Sequence, residues 1–286
     1  MKPSILFELL RIERLTEVVD IGANPIDGDP PYKAMLGDGL CKVTGFEPQD
    51  DAFAELIKKK SPNERYFPWA VGDGQTHKLN ICAASGMTGI FTPDPKVLAV
   101  FEAFKSLGKV LRQVDVATRR LDDMPEIEHM DFLKIDIQGA EHSVFQNGMS
   151  KLTNAVAIQT EVSFVCLYEQ QPALGEIDSE LRRQGFIPHC LVAVKTWPIA
   201  PCVINNNPRQ ALNQLLEADI VYVRDFTRPE LMSTGQLKHL AMIAHHCYGS
   251  IDLALRCILM LEERGELPAG TQQKYVSSLP PLKNQT

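Results

Sequence analysis

The chain of 286 residues contains no apolar run of about 20 residues, the length a membrane-spanning helix needs. Its N-terminal apolar residues, Ile5-Leu6-Phe7 and Leu9-Leu10, are interrupted by Glu8, Arg11 and Glu13, which is too short a core for a secretory signal. A basic surplus is also missing. With 29 Lys and Arg against 36 Asp and Glu, the formal charge of −7 argues against a general nucleic-acid binder. None of the seven cysteines (41, 82, 166, 190, 202, 247 and 257) forms a Cys-x-x-Cys pair, so neither a zinc ribbon nor a disulfide framework is expected. Buried thiols in a reducing cytoplasm fit this usage, and a soluble cytoplasmic protein is expected. Aromatic residues make up only 7%, but a hydrophobic content of 44% is enough for a large core.

One stretch organises the rest: Glu17-Val18-Val19-Asp20-Ile21-Gly22-Ala23-Asn24. Its β-branched residues read as a short strand buried on both faces of a parallel sheet. The small residues after Asp20 let a ligand approach the backbone. A second strand, Cys41–Phe46, is followed by Glu47, and an acid at that place suits the two hydroxyls of a ribose. A dinucleotide site would need Gly-x-Gly-x-x-Gly to cradle a pyrophosphate. Here Asn24 stands at the second glycine position, Pro25 removes a backbone donor, and Gly28 falls one place late. A nucleoside without phosphates, such as S-adenosylmethionine, fits better.

Val18–Asn24, Gly45-Phe46-Glu47-Pro48 and Phe132-Leu133-Lys134-Ile135-Asp136-Ile137-Gln138-Gly139-Ala140-Glu141 together resemble the FkbM family of S-adenosylmethionine-dependent methyltransferases, over roughly residues 17 to 225. The third motif is the most specific. The resemblance implies an α/β fold with a doubly wound, seven-stranded, mostly parallel sheet of the class I methyltransferase type. It also implies O-methylation of a sugar or secondary-metabolite hydroxyl, and an adenine contact near Asp73. Pro25 and Pro30-Pro31 depart from the glycine-rich continuation of many relatives.

The expected cofactor residues are thus Asp20, Gly22, Ala23, Asn24, Glu47 and Asp73. For the chemistry, Asp136 at the end of the fourth main strand is the leading general base. Lys134 lies on the same side of that strand and either pairs with Asp136 or polarises an acceptor oxygen. Glu161 in the fifth strand is the third candidate, and Glu141 suits the first turn of a helix. Asp136, Glu161 and His142 lack diagnostic metal spacing, and His245-His246 lacks i, i+4 pairing, so no metal is expected.

The expected layout places an S-adenosylmethionine-binding domain over residues 1–228, including an N-terminal helix. A helical hairpin follows over 229–267, and a disordered tail over 268–286. The hairpin must dock on the body or on a second subunit, which makes a homo-oligomer a further expectation. The partner is a small-molecule or glycan acceptor. Two rivals share the sheet: an NAD(P)-dependent Rossmann oxidoreductase and a non-catalytic nucleoside-binding module.

Overall fold

The computed structural model describes residues 5–24 and 28–280. Pro25, named above for its effect on the turn, and residues 281–286 of the expected tail lie outside them. The strands are β1 (Thr16–Ile21), β2 (Cys41–Phe46), β3 (Glu64–Phe67), β4 (Ala70–Gly72), β5 (Thr76–Cys82), β6 (Val110–Arg120), β7 (Phe132–Ile135), β8 (Ala157–Ser163), β9 (Phe186–Thr196) and β10 (Leu215–Arg224). The helices are α1 (Ile5–Leu9), α2 (Lys33–Gly37), α3 (Asp50–Lys59), α4 (Pro95–Leu98), α5 (Phe104–Leu107), α6 (Glu141–Gln146), α7 (Met149–Leu152), α8 (Leu174–Arg183), α9 (Thr234–Tyr248), α10 (Ile251–Glu263) and α11 (Thr271–Ser278).

The expected seven-stranded sheet is present, in the order β3-β2-β1-β7-β8-β10-β9, with β10 antiparallel to both neighbours. Strand order reverses between β1 and β7, the point in a doubly wound sheet where a crevice opens at the carboxyl ends. A smaller sheet, β4-β6-β5, flanks it. The stretch Arg65–Val71, which reads as one strand, is split between the two sheets. Pro68 has no N–H for the ladder, and the chain changes sheet across it. The connection from 77 to 121 contributes β5 and β6, with two single-turn helices, α4 and α5, between them.

Alternation along the strands splits the core. Val19, Ile21, Leu133, Ile135, Ile158 and Tyr222 face one cluster with Val144, Phe145 and Leu181 from α6 and α8. Val18, Phe132, Ala157, Val221 and Val223 face the other, against α9 and α10. The C-terminal helices therefore share a core with the sheet, and the boundary at 228 divides no packing unit. Residues 271–278, expected to be disordered, form α11. There Tyr275 is buried, and its hydroxyl lies 2.9 Å from His245 Nδ1. Helix α9 begins with a Ser233–Gln236 capping box and stops at Gly249 in the left-handed region (φ 62°), both visible in the sequence.

Helix α9 also carries His239, buried with its Nδ1 3.0 Å from Thr16 Oγ1 and 3.7 Å from Asp131, itself bonded twice by Arg14. Burial lowers the His239 pKa to about 4, against the partial opposition of Asp131. Above the unfolded value of about 6.5, neither state of the chain is protonated there. As pH falls from there towards 4, only the unfolded chain takes up the proton, so stability is lost across that window, by up to about 3 kcal/mol. His239→Gln is expected to flatten this acid limb in urea unfolding measured from pH 7 to pH 4. An unchanged limb would remove His239 as its source.

Candidate functional site

The turn after β1 is held on two sides. Gly22 and Ala23 N–H donate to the Phe46 carbonyl (3.0 and 3.1 Å), and Asp136 N–H donates to the Ile21 carbonyl (3.0 Å). Gly22 has φ +76°, and a Cβ on it would lie 2.0 Å from the Asp136 carbonyl oxygen. In the sequence this glycine points to close approach of a ligand to the backbone. Contact with the backbone of the neighbouring strand end already forbids a side chain there.

A cleft opens beside this turn, lined by Gly22, Asn24, Phe46, Glu47, Val71, Thr118, Asp136 and Ile137. The turn Ser85–Met87 overhangs it with Ser85, Gly86, Thr88 and Gly89. Glu47 is 2% exposed, and its Oε1 accepts from Gln49 N–H at 2.7 Å, which fixes the carboxylate on the cleft wall. Trp69 is sandwiched between the Phe67 ring (centroids 4.5 Å apart) and the Arg119 guanidinium (3.6 Å from the ring centre), so it presents an edge to the cleft. Among the described lining residues, the charged ones are the acids Glu47 and Asp136. Apolar walls, an acid for a diol and no cation suit a nucleoside with a positive sulfonium and ammonium. They do not suit a pyrophosphate, which is why the nicotinamide alternative is disfavoured.

The strand-to-helix turn after β7 places Asp136. Gln138 adopts φ +59° and Gly139 φ +100°, uncommon for the glutamine. Gln138 Nε2 donates to Asp136 Oδ1 (3.0 Å), and the buried Glu141 carboxylate accepts from Ile137 and Gly139 N–H (2.9 and 3.2 Å). Burial raises the Glu141 pKa to about 7, with Asp136 adding to the rise, and its two backbone hydrogen bonds tie the turn together.

A second cavity, of about 740 Å³, lies on the sheet face that carries α9. On that face the apolar row Val18–Phe132–Ala157–Val223 is followed by Asp20–Lys134–Gln159 on successive strands, then by Asp136, Glu161 and Asp219. All six of these polar residues line the cavity, as do Ala23, Asn24, Tyr32 and Tyr248. Asp136 and Asn24 line both the cavity and the cleft. Glu161 is buried, and its pKa lies well above the carboxylate range, chiefly from burial and then from the charge of Asp136; Lys195 Nζ stands 3.4 Å away. The Asp219 carboxyl is raised by the same two causes.

The expected residues thus divide. Gly22, Asn24, Glu47 and Asp136 meet at the cleft. Asp20 and Ala23 face the second cavity instead. Asp20 Oδ2 accepts from the Tyr32 hydroxyl (2.5 Å), and Oδ1 lies 3.4 Å from Lys134 Nζ, which also donates to the Gly22 carbonyl at 3.2 Å. Asp73 lies off the cleft wall. Its carboxylate accepts from Gln75 N–H and Thr118 Oγ1 and lies 2.8 Å from His77 Nε2, a turn role that burial of Thr118 reinforces. His142 sits in a depression with Glu180 and Arg183, away from Asp136 and Glu161. Among the described residues no group of three or more His, Cys, Asp or Glu is placed to hold a metal ion. The sequence reading missed Tyr32, Trp69, Gln159, Asp219 and Tyr248. For Gln159 a signal existed, since a glutamine in a strand buried on both faces needs a partner.

A doubly wound sheet with a crevice at its switch point defines a Rossmann-like fold. Residues 20–188 match the Methyltransferase FkbM domain, and the chain belongs to that family. It is a methyltransferase that uses S-adenosylmethionine. The 2-O-methyltransferase NoeI of Sinorhizobium fredii is similar at 28% identity over 173 residues, covering 56% of this chain and 68% of the relative. Among solved structures, a putative methyltransferase from Thermoplasma acidophilum aligns at TM-score 0.38 and 10% identity, covering 74% of this chain and 70% of its own. A putative S-adenosylmethionine-dependent methyltransferase from Listeria monocytogenes aligns at TM-score 0.39 and 9% identity, covering 77% and 95%. No helix among the described residues is long and apolar enough to cross a membrane.

Proposed function

We propose that the chain methylates a hydroxyl of a small polyhydroxylated acceptor, with the cofactor in the cleft and the acceptor in the second cavity. The observation that carries this reading is that Asp136 and Asn24 line both spaces, so a donor in one and an acceptor in the other meet beside a carboxylate. The match to a 2-O-methyltransferase supports oxygen as the acceptor atom. Glu47 would hold the ribose hydroxyls, and the turn at Gly22 and Asn24 the amino-acid end. S-adenosylmethionine supplies a methyl group on a positively charged sulfur. Asp136 orients the acceptor hydroxyl and takes its proton as the oxygen–carbon bond forms and the carbon–sulfur bond breaks. Gln138 keeps the Asp136 carboxylate aimed by its hydrogen bond to Oδ1. Glu161 and Asp219 stand beside Asp136 in the same cavity, and burial and the Asp136 charge raise the pKa of both.

Calorimetric titration tests the cofactor half of this reading. S-adenosylhomocysteine is expected to bind and NAD not to. Glu47→Ala is expected to weaken the former by about 1.5–3 kcal/mol, the scale of a hydrogen bond to a charged group. Equal affinity in a folded Glu47→Ala variant would take Glu47 out of the ribose site.

A further inference from the structure

Two polar side chains in the second cavity share one arrangement. Asp20, 3% exposed, has Oδ2 fixed by the Tyr32 hydroxyl, while its Oδ1 accepts no hydrogen bond and faces Lys134 Nζ at 3.4 Å as an ion pair. Gln159, 9% exposed, has Oε1 fixed by the Tyr248 hydroxyl at 3.0 Å, while its amide nitrogen forms no hydrogen bond among the described residues. In each pair a tyrosine fixes one end of the polar group; the other end of Asp20 meets Lys134, and the amide nitrogen of Gln159 is left without a hydrogen bond among the described residues. Buried polar groups left in this state call for a ligand or water.

Spacing indicates what kind of ligand. Asp20, Lys134 and Gln159 are register partners on three adjacent strands, so acceptor, cation and donor stand in a row about 10 Å long. A ring bearing several hydroxyls presents donors and acceptors at comparable spacing. Next to the row stands Asp136, whose charge opposes an anionic substituent at this end.

Tyr248 is the last residue of α9, and its ring packs edge-on against Phe132 with centroids 6.0 Å apart. Gly249 ends the helix behind it, and Ser250 Oγ lies 2.7 Å from His189 Nε2 of β9, which holds the turn against the sheet. Tyr248 lies outside residues 20–188, the part that matches the family domain.

We propose that the Asp20–Lys134–Gln159 row reads the hydroxyls of an uncharged polyhydroxylated ring, and that Tyr248, from the C-terminal helices, is a positioning residue that orients Gln159 and thereby sets which hydroxyl is methylated. This rests on the methyltransferase reading above. Without the phenol, the Gln159 amide is free to turn, donor and acceptor exchange places, and the ring no longer has one preferred seating.

The test uses the full chain saturated with S-adenosylhomocysteine and three probes: methyl α-glucopyranoside, methyl α-galactopyranoside and glucose 6-phosphate. Saturation-transfer NMR is expected to detect at least one neutral pyranoside and not the phosphate. With labelled S-adenosylmethionine, the wild type is expected to give one predominant methyl ether from the neutral probe. Tyr248→Phe, which keeps the ring against Phe132, is expected to raise the probe's KM about tenfold and to yield mixed methyl ethers, with S-adenosylhomocysteine affinity unchanged. Gln159→Glu, which cannot donate, is expected to lose probe binding. A Tyr248→Phe enzyme with the same KM and product would overturn the proposal. So would binding of the phosphate in preference to both pyranosides, or S-adenosylhomocysteine binding with no pyranoside bound. Failure of S-adenosylhomocysteine itself to bind would instead refute the cofactor reading.

Discussion

Asp136→Asn is expected to slow methyl transfer by 10²- to 10⁴-fold, the usual loss on removing a general base, while the protein still binds S-adenosylhomocysteine. The amide keeps the shape of the carboxylate but cannot take the proton released as the acceptor oxygen bonds to carbon. S-adenosylhomocysteine lacks the sulfonium charge, so its affinity separates loss of chemistry from loss of the site. Rates are measured as S-adenosylhomocysteine released from S-adenosylmethionine in the presence of neutral pyranosides. A second readout needs no acceptor. The Asp136 charge contributes to the raised pKa of Glu161, so carboxyl-carbon NMR should show Glu161 titrating at lower pH in the variant. A variant with wild-type turnover would transfer the base role to Glu161.

Gly22→Val is expected to yield no folded protein, a loss well above the ~1 kcal/mol typical of point substitutions. The added Cβ would meet the Asp136 carbonyl at 2.0 Å, and the φ of +76° is strained for any branched side chain. Neither backbone can retreat. Gly22 is tied to Phe46, and Asp136 to Ile21, through hydrogen bonds of 3.0 Å. Circular dichroism and solubility decide the outcome. A folded variant that merely loses cofactor would show that the turn relaxes and that ligand approach is the governing constraint.

Other structural proposals scale with what the core requires. Removing residues after 228 would uncover Val18, Phe132 and Val221, so a truncated chain is a poor test of an assembly role for α9 and α10. A homo-oligomer through these helices remains a proposal to be tested on the full chain by light scattering.

The sequence by itself determined the main strands and the residues that meet at the cleft, because both rest on local order. Val18-Val19-Asp20-Ile21-Gly22 encodes a buried strand and its turn, and Glu47 follows its strand at a fixed place. Asp136, two residues beyond Lys134, was legible for the same reason. Only the tertiary structure decided which acids share a space. Period 2 puts Asp20 and Lys134 on one face, but the register between β1, β7 and β8 is what sets them beside Gln159. Alternation along β1 puts Asp20 on the Val18 side, away from the cleft. Asp73 stands at a strand end as expected, yet β4 belongs to the other sheet, and its carboxylate is taken up by His77, Gln75 and Thr118. Tyr248 could not be read at all from its neighbours. It lies 89 positions from Gln159, and only packing of α9 on the sheet brings the phenol to the amide.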